Sequence, residues 1–423
     1  MVRVNRTANV LRPAQSRVLL RPFSHGDSQR VGQIMARIMA IPEEQVGPLL
    51  EEISSEFAHR HRGIQGLFLE RYEQVAEALR PGIHCSEQRR LLIGSYFLAE
   101  YSLECAALFN PSIVPHMDQA GLAFGALRFI LTLRATGEGH ISSITFRTGV
   151  VHPDQRIEVS PPGTFVTEPR RIPGLTDEFE FQPDRELSER VLFPATLSQR
   201  NGIEDARFVR FRNEDGSEVY FATFTAYDGR TVRPELLETT DFVRFRFATL
   251  TGSAARNKGM ALFPRKINGR YAMLSRQDAE SIHLAYSDDL HSWEEHKLLL
   301  RPCFAWELVQ VGNCGSPIET DAGWLVLTHG VGPMRKYCIS AFLLDRNDPG
   351  KVIGRLRDPL LEPMESERDG YVPNVVYTCG AILHRGELII PHGLADHTTG
   401  FSTVSVDAVL AAMGSEEAIP GPG

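Results

Sequence analysis

The chain has 423 residues, 42% hydrophobic and 23% charged, with 35 glycines and 26 prolines, a composition that suits a well-cored globular protein rich in turns. Its formal net charge of -8 excludes an overall basic field for nucleic acid or an anionic membrane, while leaving room for a local anion site. Six cysteines, Cys85, Cys105, Cys303, Cys314, Cys338 and Cys379, show no CxxC spacing, so buried thiols are expected rather than a zinc cluster or a disulfide scaffold.

The first stretch, MVRVNRTANVLRPAQ, is charged throughout and lacks an apolar run of signal length. No later run approaches a membrane span, so a soluble, cytoplasmic protein is expected. From Ser28 to about Leu79 the apolar residues fall at helical spacing: Val31, Ile34, Met35 and Ile38, then Val46, Leu49, Leu50, Ile53 and Phe57. Two or more amphipathic helices are predicted, one starting at Pro42-Glu43-Glu44, where proline is tolerated and carboxylates favour the positive end of the helix dipole. His59 and His61 do not share a helix face and read as a solvated helix end. A break at Pro81-Gly82 precedes a further predicted helix from Glu87 to about Leu108. Residues 1–108 are thus read as a helical N-terminal extension, which caps a sheet edge or buries an apolar face against a second copy; a homo-oligomer is the expectation.

Beyond Asn110 the pattern changes to short β-rich runs between Gly, Asp and Asn turns. Five runs look alike: LRFILTLRATGEG from Leu127, VYFATFTAYDG from Val219, GRYAMLSRQD from Gly269, GWLVLTHGVG from Gly323 and GELIIPHGLAD from Gly386. Each is an apolar strand ending in polar residues, and from the second onward they recur at roughly 50–65 residues, the scale of a propeller blade. The fold class read from this is mainly β, a five-bladed β-propeller over residues 109–410 followed by a tail over 411–423. Polar residues at the ends of inner strands would converge on one funnel. AYSDDLHSWEEHKLLL, from Ala285, reads as a strand, a turn carrying Asp288 and Asp289 and then Trp293, a structural arrangement, and Gly137-Glu138-Gly139-His140 as a turn, since it lacks the Lys-Ser/Thr and helix of a phosphate-binding P-loop.

The segment Asn201-Gly202-Ile203-Glu204-Asp205-Ala206-Arg207 sets two acids and an arginine between a glycine turn and an apolar strand. Alternation of side chains puts Asp205 and Arg207 on one face and Glu204 on the other. Taken alone, this fits a strand-edge salt bridge as well as a site.

The same segment resembles the GIEDPR signature of glycoside hydrolase family 130, with Ala206 in place of the usual proline. FNPSIV from Phe109 and TAYDG from Thr225 resemble the family's FNPA and TAYDG segments, and NKGMALFPRKINGRYAMLSR from Asn257 resembles KDAVLFPEKINGKYYMLHR. NCGSPIET with GWLVLTHGV resembles GAPPIET with GWLLIYHGV, and NVVYTCGAI with HGLAD resembles NVVFPCGAI with YGAAD. The motifs run in order over about residues 109–400 and leave the helical quarter outside.

The resemblance implies a five-bladed propeller acting on β-mannosides as an inverting phosphorylase, releasing α-mannose 1-phosphate and an acceptor sugar. It implies no metal and no organic cofactor, with inorganic phosphate as co-substrate. Asp205 would be the general acid, its proton passing through the 3-hydroxyl of the mannosyl unit. An acid needs a raised pKa whereas Arg207 would lower it, a balance that the residues alone leave open. Lys258, Arg276 and His329 match phosphate-contacting positions, with Arg207 as a further contributor. Asn110, Arg134 and Asp396 match positions that hold the sugar on the non-reducing side of the cleaved bond. Tyr227 and Asp228 would line the sugar or acceptor side, although Asp228-Gly229 reads equally as a plain turn. A water-using β-mannosidase of the same family and a glycan-binding propeller without catalysis stand as alternatives.

Overall fold

The structure is a computed structural model that describes residues 2–23, 28–79 and 85–414. The expected break at Pro81-Gly82 and most of the expected C-terminal tail lie outside the described residues. The chain divides into two compact units, one of residues 14–103 and 163–167 and the other of the remainder.

Among its described residues the smaller unit carries four helices: α1 (Ser28–Met39), α2 (Glu43–Phe57), α3 (Ile64–Leu79) and α4 (Glu87–Ser95). Their apolar faces share a core of Met35, Ile38, Val46, Tyr72, Leu92 and Phe97. Arg89 ties the helix ends together. Its guanidinium donates to the carbonyls of Ile38 (2.6 Å) and Ile41 (2.7 Å) at the end of α1, and pairs with Glu43 at the start of α2. One cation thus satisfies carbonyls that a helix end leaves unpaired. At Gly94 of α4 an added Cβ would lie 1.8 Å from the Phe68 carbonyl oxygen of α3, so only glycine permits this crossing. His61 is not a solvated helix end: it is buried, with Nε2 2.8 Å from Glu100.

The helix expected from Glu87 to Leu108 stops at Ser95. Leu98–Ser102 instead pairs antiparallel with Val18–Pro22, and Ala107–Pro115 is a strand of the larger unit, buried along all but its last residue. Runs this short carry too little period to separate helix from strand, and pairing partners decided it.

The larger unit is mainly β, with five antiparallel sheets of four to six strands. At one edge of each sheet lies a first strand; in chain order these are Ala107–Pro115, Ile203–Arg212, Ala261–Leu262, Gln310–Asn313 and Val376–Tyr377. Each pairs with the next long strand: Leu127–Thr136, Glu218–Tyr227, Tyr271–Ser275, Gly323–Val331 and Glu387–Leu394. These five second strands are the five look-alike runs of the sequence.

Each sheet packs on its successor through an apolar cluster. Ile130, Ile144 and Phe146 meet Phe208, Ala222 and Phe242. Val209 and Phe221 meet Leu262 and Met273. Leu274 and Leu284 meet Trp324 and Phe342, and Leu325 and Ile339 meet Leu388 and Ile390. The last sheet returns to the first, where Leu108 N donates to His397 O (2.9 Å) and Cys379 N to Pro111 O (2.8 Å). Burying each such large side chain contributes about 1.5–3 kcal/mol, so these seams supply most of the favourable term for the unit. Trp293 is fully buried, its Nε1 donating to Leu290 O at 2.8 Å.

The N-terminal strand Asn5–Leu11 differs from its expected place in a helical extension. It pairs with Thr398–Ser405 and so adds the outer strand to the sheet made by the C-terminal part of the chain. Arg6 fixes it further through Glu367 (3.0 Å). Deleting residues 1–11 would bare the edge of Thr398–Ser405, a template for aggregation. A fall in Tm of roughly 10 °C or more, with soluble aggregates on size-exclusion chromatography, is expected; an unchanged melt would show that the strand adds nothing.

Candidate active site

Eight of the ten residues singled out in the sequence line one pocket of the larger unit: Asn110, Arg134, Asp205 and Arg207, with Lys258, Arg276, His329 and Asp396. The regularity of the sheets explains the convergence. Asn110, Asp205 and Arg207 lie on first strands and Lys258 just ahead of one, while Arg134, Arg276, His329 and Asp396 lie within or just past second strands.

Strict alternation fails at the centre of the pocket. The ladder between Ile203–Arg212 and its neighbour shifts register between Glu204 and Arg207, and Asp205 sits at φ 53°. Such a bulge inserts a residue and re-aims its neighbours. Glu204 therefore faces the same pocket as Asp205 instead of the opposite side. A matching shift between Phe109 and Ser112 places Asn110 at φ 47°, and Asp396 is at φ 50°. Asn and Asp are the side chains that adopt this left-handed geometry most readily, and such residues cluster where strain serves a site.

Asp205 accepts from Asn110 Nδ2 at 2.6 Å and pairs with Arg134 at 3.3 Å. Arg134 also grips Glu204 at 3.0 Å, donates to Ser142 Oγ and lies over the Phe109 ring. Lys258 Nζ stands 3.6 Å from the second oxygen of Glu204. Burial alone would raise the Asp205 pKa, but Arg134, Arg207 and Lys258 together with the Asn110 hydrogen bond overcome it and hold the carboxyl below its ordinary range. In the free protein Asp205 is therefore an anion.

His329 is not a cation. Burial, followed by the charges of Arg276 and Arg207, drives its pKa well down, and Arg276 Nη1 donates to His329 Nε2 at 3.2 Å. The imidazole thus orients Arg276. Close approach of Gly312 makes room for both: a Cβ there would lie 2.5 Å from His329 Cε1 and 3.2 Å from Arg276 Nη1. Several polar atoms of the pocket are buried without a hydrogen-bond partner among the described residues, namely Arg276 Nε, Asn110 Oδ1 and both side-chain atoms of Asn313. Buried polar groups are normally satisfied, so this lining suits a polar ligand.

Tyr227 and Asp228 are not brought to the pocket. Asp228 forms the plain turn, its carboxylate accepting from the backbone of Arg230 (2.8 Å) and Thr231 (2.7 Å). Sequence reasoning passed over Asn313 and Tyr377, although both lie inside quoted motifs, and over Gln310, Arg335 and Tyr337, for which no motif spoke.

Asp396 differs from Asp205. Desolvation, then the charge of Asp205, outweighs Arg134 and Arg335 and pushes its pKa up to about 6. Since the folded value exceeds the ordinary one, no penalty exists below both values, and the ionised carboxylate burdens the fold above about pH 6. Asp396→Asn is expected to add ~1–3 kcal/mol of stability near neutral pH, a gain that fades as pH falls toward 4. Denaturant titrations at both pH values check this, and an equal gain at both would exclude titration of Asp396 as the cause.

A mostly buried carboxylate opposed by several cations from separate sheets, in a pocket of unpaired polar groups, defines an enzyme site for a polar, anion-bearing reaction. The family model described as beta-1,4-mannooligosaccharide phosphorylase matches residues 181–415. The chain belongs to that family, glycoside hydrolase family 130. It is 35% identical over 225 residues to a 1,2-beta-oligomannan phosphorylase of Thermoanaerobacter sp. (strain X514), covering 52% of this chain and 74% of that one. It is also 35% identical over 229 residues to a beta-1,2-mannobiose phosphorylase of Listeria innocua, covering 52% of this chain and 62% of the relative. The solved beta-1,2-mannobiose phosphorylase of Listeria innocua, in complex with beta-1,2-mannobiose, superposes with a TM-score of 0.55 at 24% identity. That match spans 73% of this chain and 92% of the solved one, and it bears on the fold.

Proposed function

We propose that this chain is an inverting β-mannoside phosphorylase whose five sheets are the blades of a five-bladed propeller. Support for the propeller comes from the cyclic order of the sheet seams and from the N-terminal strand completing the last sheet. The observation that carries the reaction is the gathering of Lys258, Arg276 and Arg207 around Asp205 in one pocket.

Phosphate, an anion with several acceptor oxygens, suits cations drawn from separate sheets. Its oxygen attacks the anomeric carbon of the mannosyl unit from the face opposite the leaving group. As the new C–O bond forms, the bond to the acceptor sugar breaks, and Asp205 supplies the proton to the leaving oxygen by way of the mannosyl 3-hydroxyl. Asp205 is left as the carboxylate and the sugar phosphate as a monoanion that gives up the proton phosphate brought, so the net change is HPO4²⁻ and the mannoside to the sugar phosphate dianion and the acceptor hydroxyl. No second carboxylate is needed, because the nucleophile arrives already charged. Asn110, Arg134 and Asp396 would hold the mannosyl hydroxyls beside it.

The depressed pKa of Asp205 fits this scheme through charge compensation. Two of the cations that keep it ionised, Arg207 and Lys258, are ones that phosphate would neutralise, so a bound dianion raises the Asp205 pKa and favours loading of the acid once the nucleophile is in place. Hydrolysis without phosphate would meet an unloaded acid.

Incubation of β-linked mannobioses with and without phosphate tests the reading. Mannose 1-phosphate is expected only with phosphate, and Asp205→Asn should lower kcat by ~10²–10⁴-fold. Release of free mannose at equal rates in both buffers would reject phosphorolysis in favour of hydrolysis. Arg276→Ala and Lys258→Ala should each raise the KM for phosphate by roughly tenfold or more while leaving the KM for the mannoside little changed.

A further inference from the structure

The segment NVVYTCGAI has Tyr377 where the motif it resembles has Phe, and the phenol reaches into the pocket. Arg207 Nη2 donates to Tyr377 Oη at 2.6 Å, and both residues are buried. A guanidinium has no acceptor, so the phenolic oxygen accepts here and its own proton is directed elsewhere. Among the described residues that proton meets no acceptor. The ring cannot swing away, because it packs edge-on against His329 with centroids 4.9 Å apart and against Tyr337 at 6.4 Å.

Arg207 itself is turned largely toward the protein. Nε donates to Cys314 O and Nη1 to Asp205 O, each at 3.1 Å, so with Tyr377 three of its donors are committed. Burial pushes the phenol well above its ordinary range, which keeps it protonated despite the neighbouring guanidinium.

We propose that Tyr377 is a direct hydrogen-bond donor to the phosphate, and that the charge of Arg207 reaches the anion chiefly through this polarised O–H. The proposal rests on the phosphorolysis reading above. Tyr377 is then a phosphate-binding residue and Arg207 the group that positions and strengthens it. A donor that is itself accepting from a cation binds an anion more tightly than an isolated phenol would.

Isothermal calorimetry with inorganic phosphate, and steady-state kinetics over phosphate at saturating mannoside, test this on wild type and Tyr377→Phe. The Phe variant is expected to keep its far-UV circular dichroism, to raise the Kd and KM for phosphate by roughly tenfold or more, and to keep the KM for the mannoside within about twofold. A folded variant whose phosphate Kd and KM change by less than about twofold would overturn the proposal. Wild type that neither binds nor uses phosphate would overturn the phosphorolysis reading, and this proposal with it. If the Phe variant does not fold, 3-fluorotyrosine placed at position 377 retains the shape and donates more strongly. It is expected to lower the phosphate KM by about two- to threefold, and an unchanged KM would sink the idea.

Discussion

The pocket depends on one opposition: a mostly buried carboxylate, Asp205, against the guanidinium groups of Arg134 and Arg207 and the ammonium of Lys258. Desolvation by itself would neutralise Asp205, and the cations by themselves would repel one another. Each side makes the other tolerable in a low-dielectric setting. Glu204 extends the balance by sitting between Arg134 and Lys258, so two carboxylates and two cations form a connected chain along one wall. Any anion entering the site alters the whole set, which is how substrate binding and protonation become linked.

Backbone shape delivers this arrangement. Asn110, Asp205 and Asp396 each occupy the left-handed region, at φ 47°, 53° and 50°, and they come from three different sheets. Regular strands would alternate these side chains in and out. The bulges at Phe109–Ser112 and Glu204–Arg207 break the alternation where the two strands approach, so that Asn110 meets Asp205 at 2.6 Å. The apolar seams between sheets hold the strands rigidly enough for that geometry to persist.

Much of the β organisation was legible because every second strand ends an apolar run in polar residues, and the runs recur. Arg134, Arg276, His329 and Asp396 were found by that signal joined to the quoted motifs. The direction of Glu204 was not legible, since period-two reasoning assumes an unbroken ladder and a bulge leaves no mark in composition. Tyr227 and Asp228 misled for the opposite reason: they end a second strand like the others, yet Asp228 spends its carboxylate on its own turn. Leu98–Ser102 and Asn5–Leu11 escaped because their strand character comes from distant partners, Val18–Pro22 and Thr398–Ser405.

The pairing of Asn5–Leu11 with Thr398–Ser405 joins segments nearly the full chain apart; the sheet so completed carries Tyr377, and Asp396 lies in the turn between two of its strands. During synthesis, therefore, four sheets can assemble in order while the fifth waits for its last strand to leave the ribosome. Asn5–Leu11 must stay unpaired for that interval. Ligand affinity should arise late and abruptly in the life of the nascent chain, because the wall bearing Tyr377 and Asp396 is the last to be set.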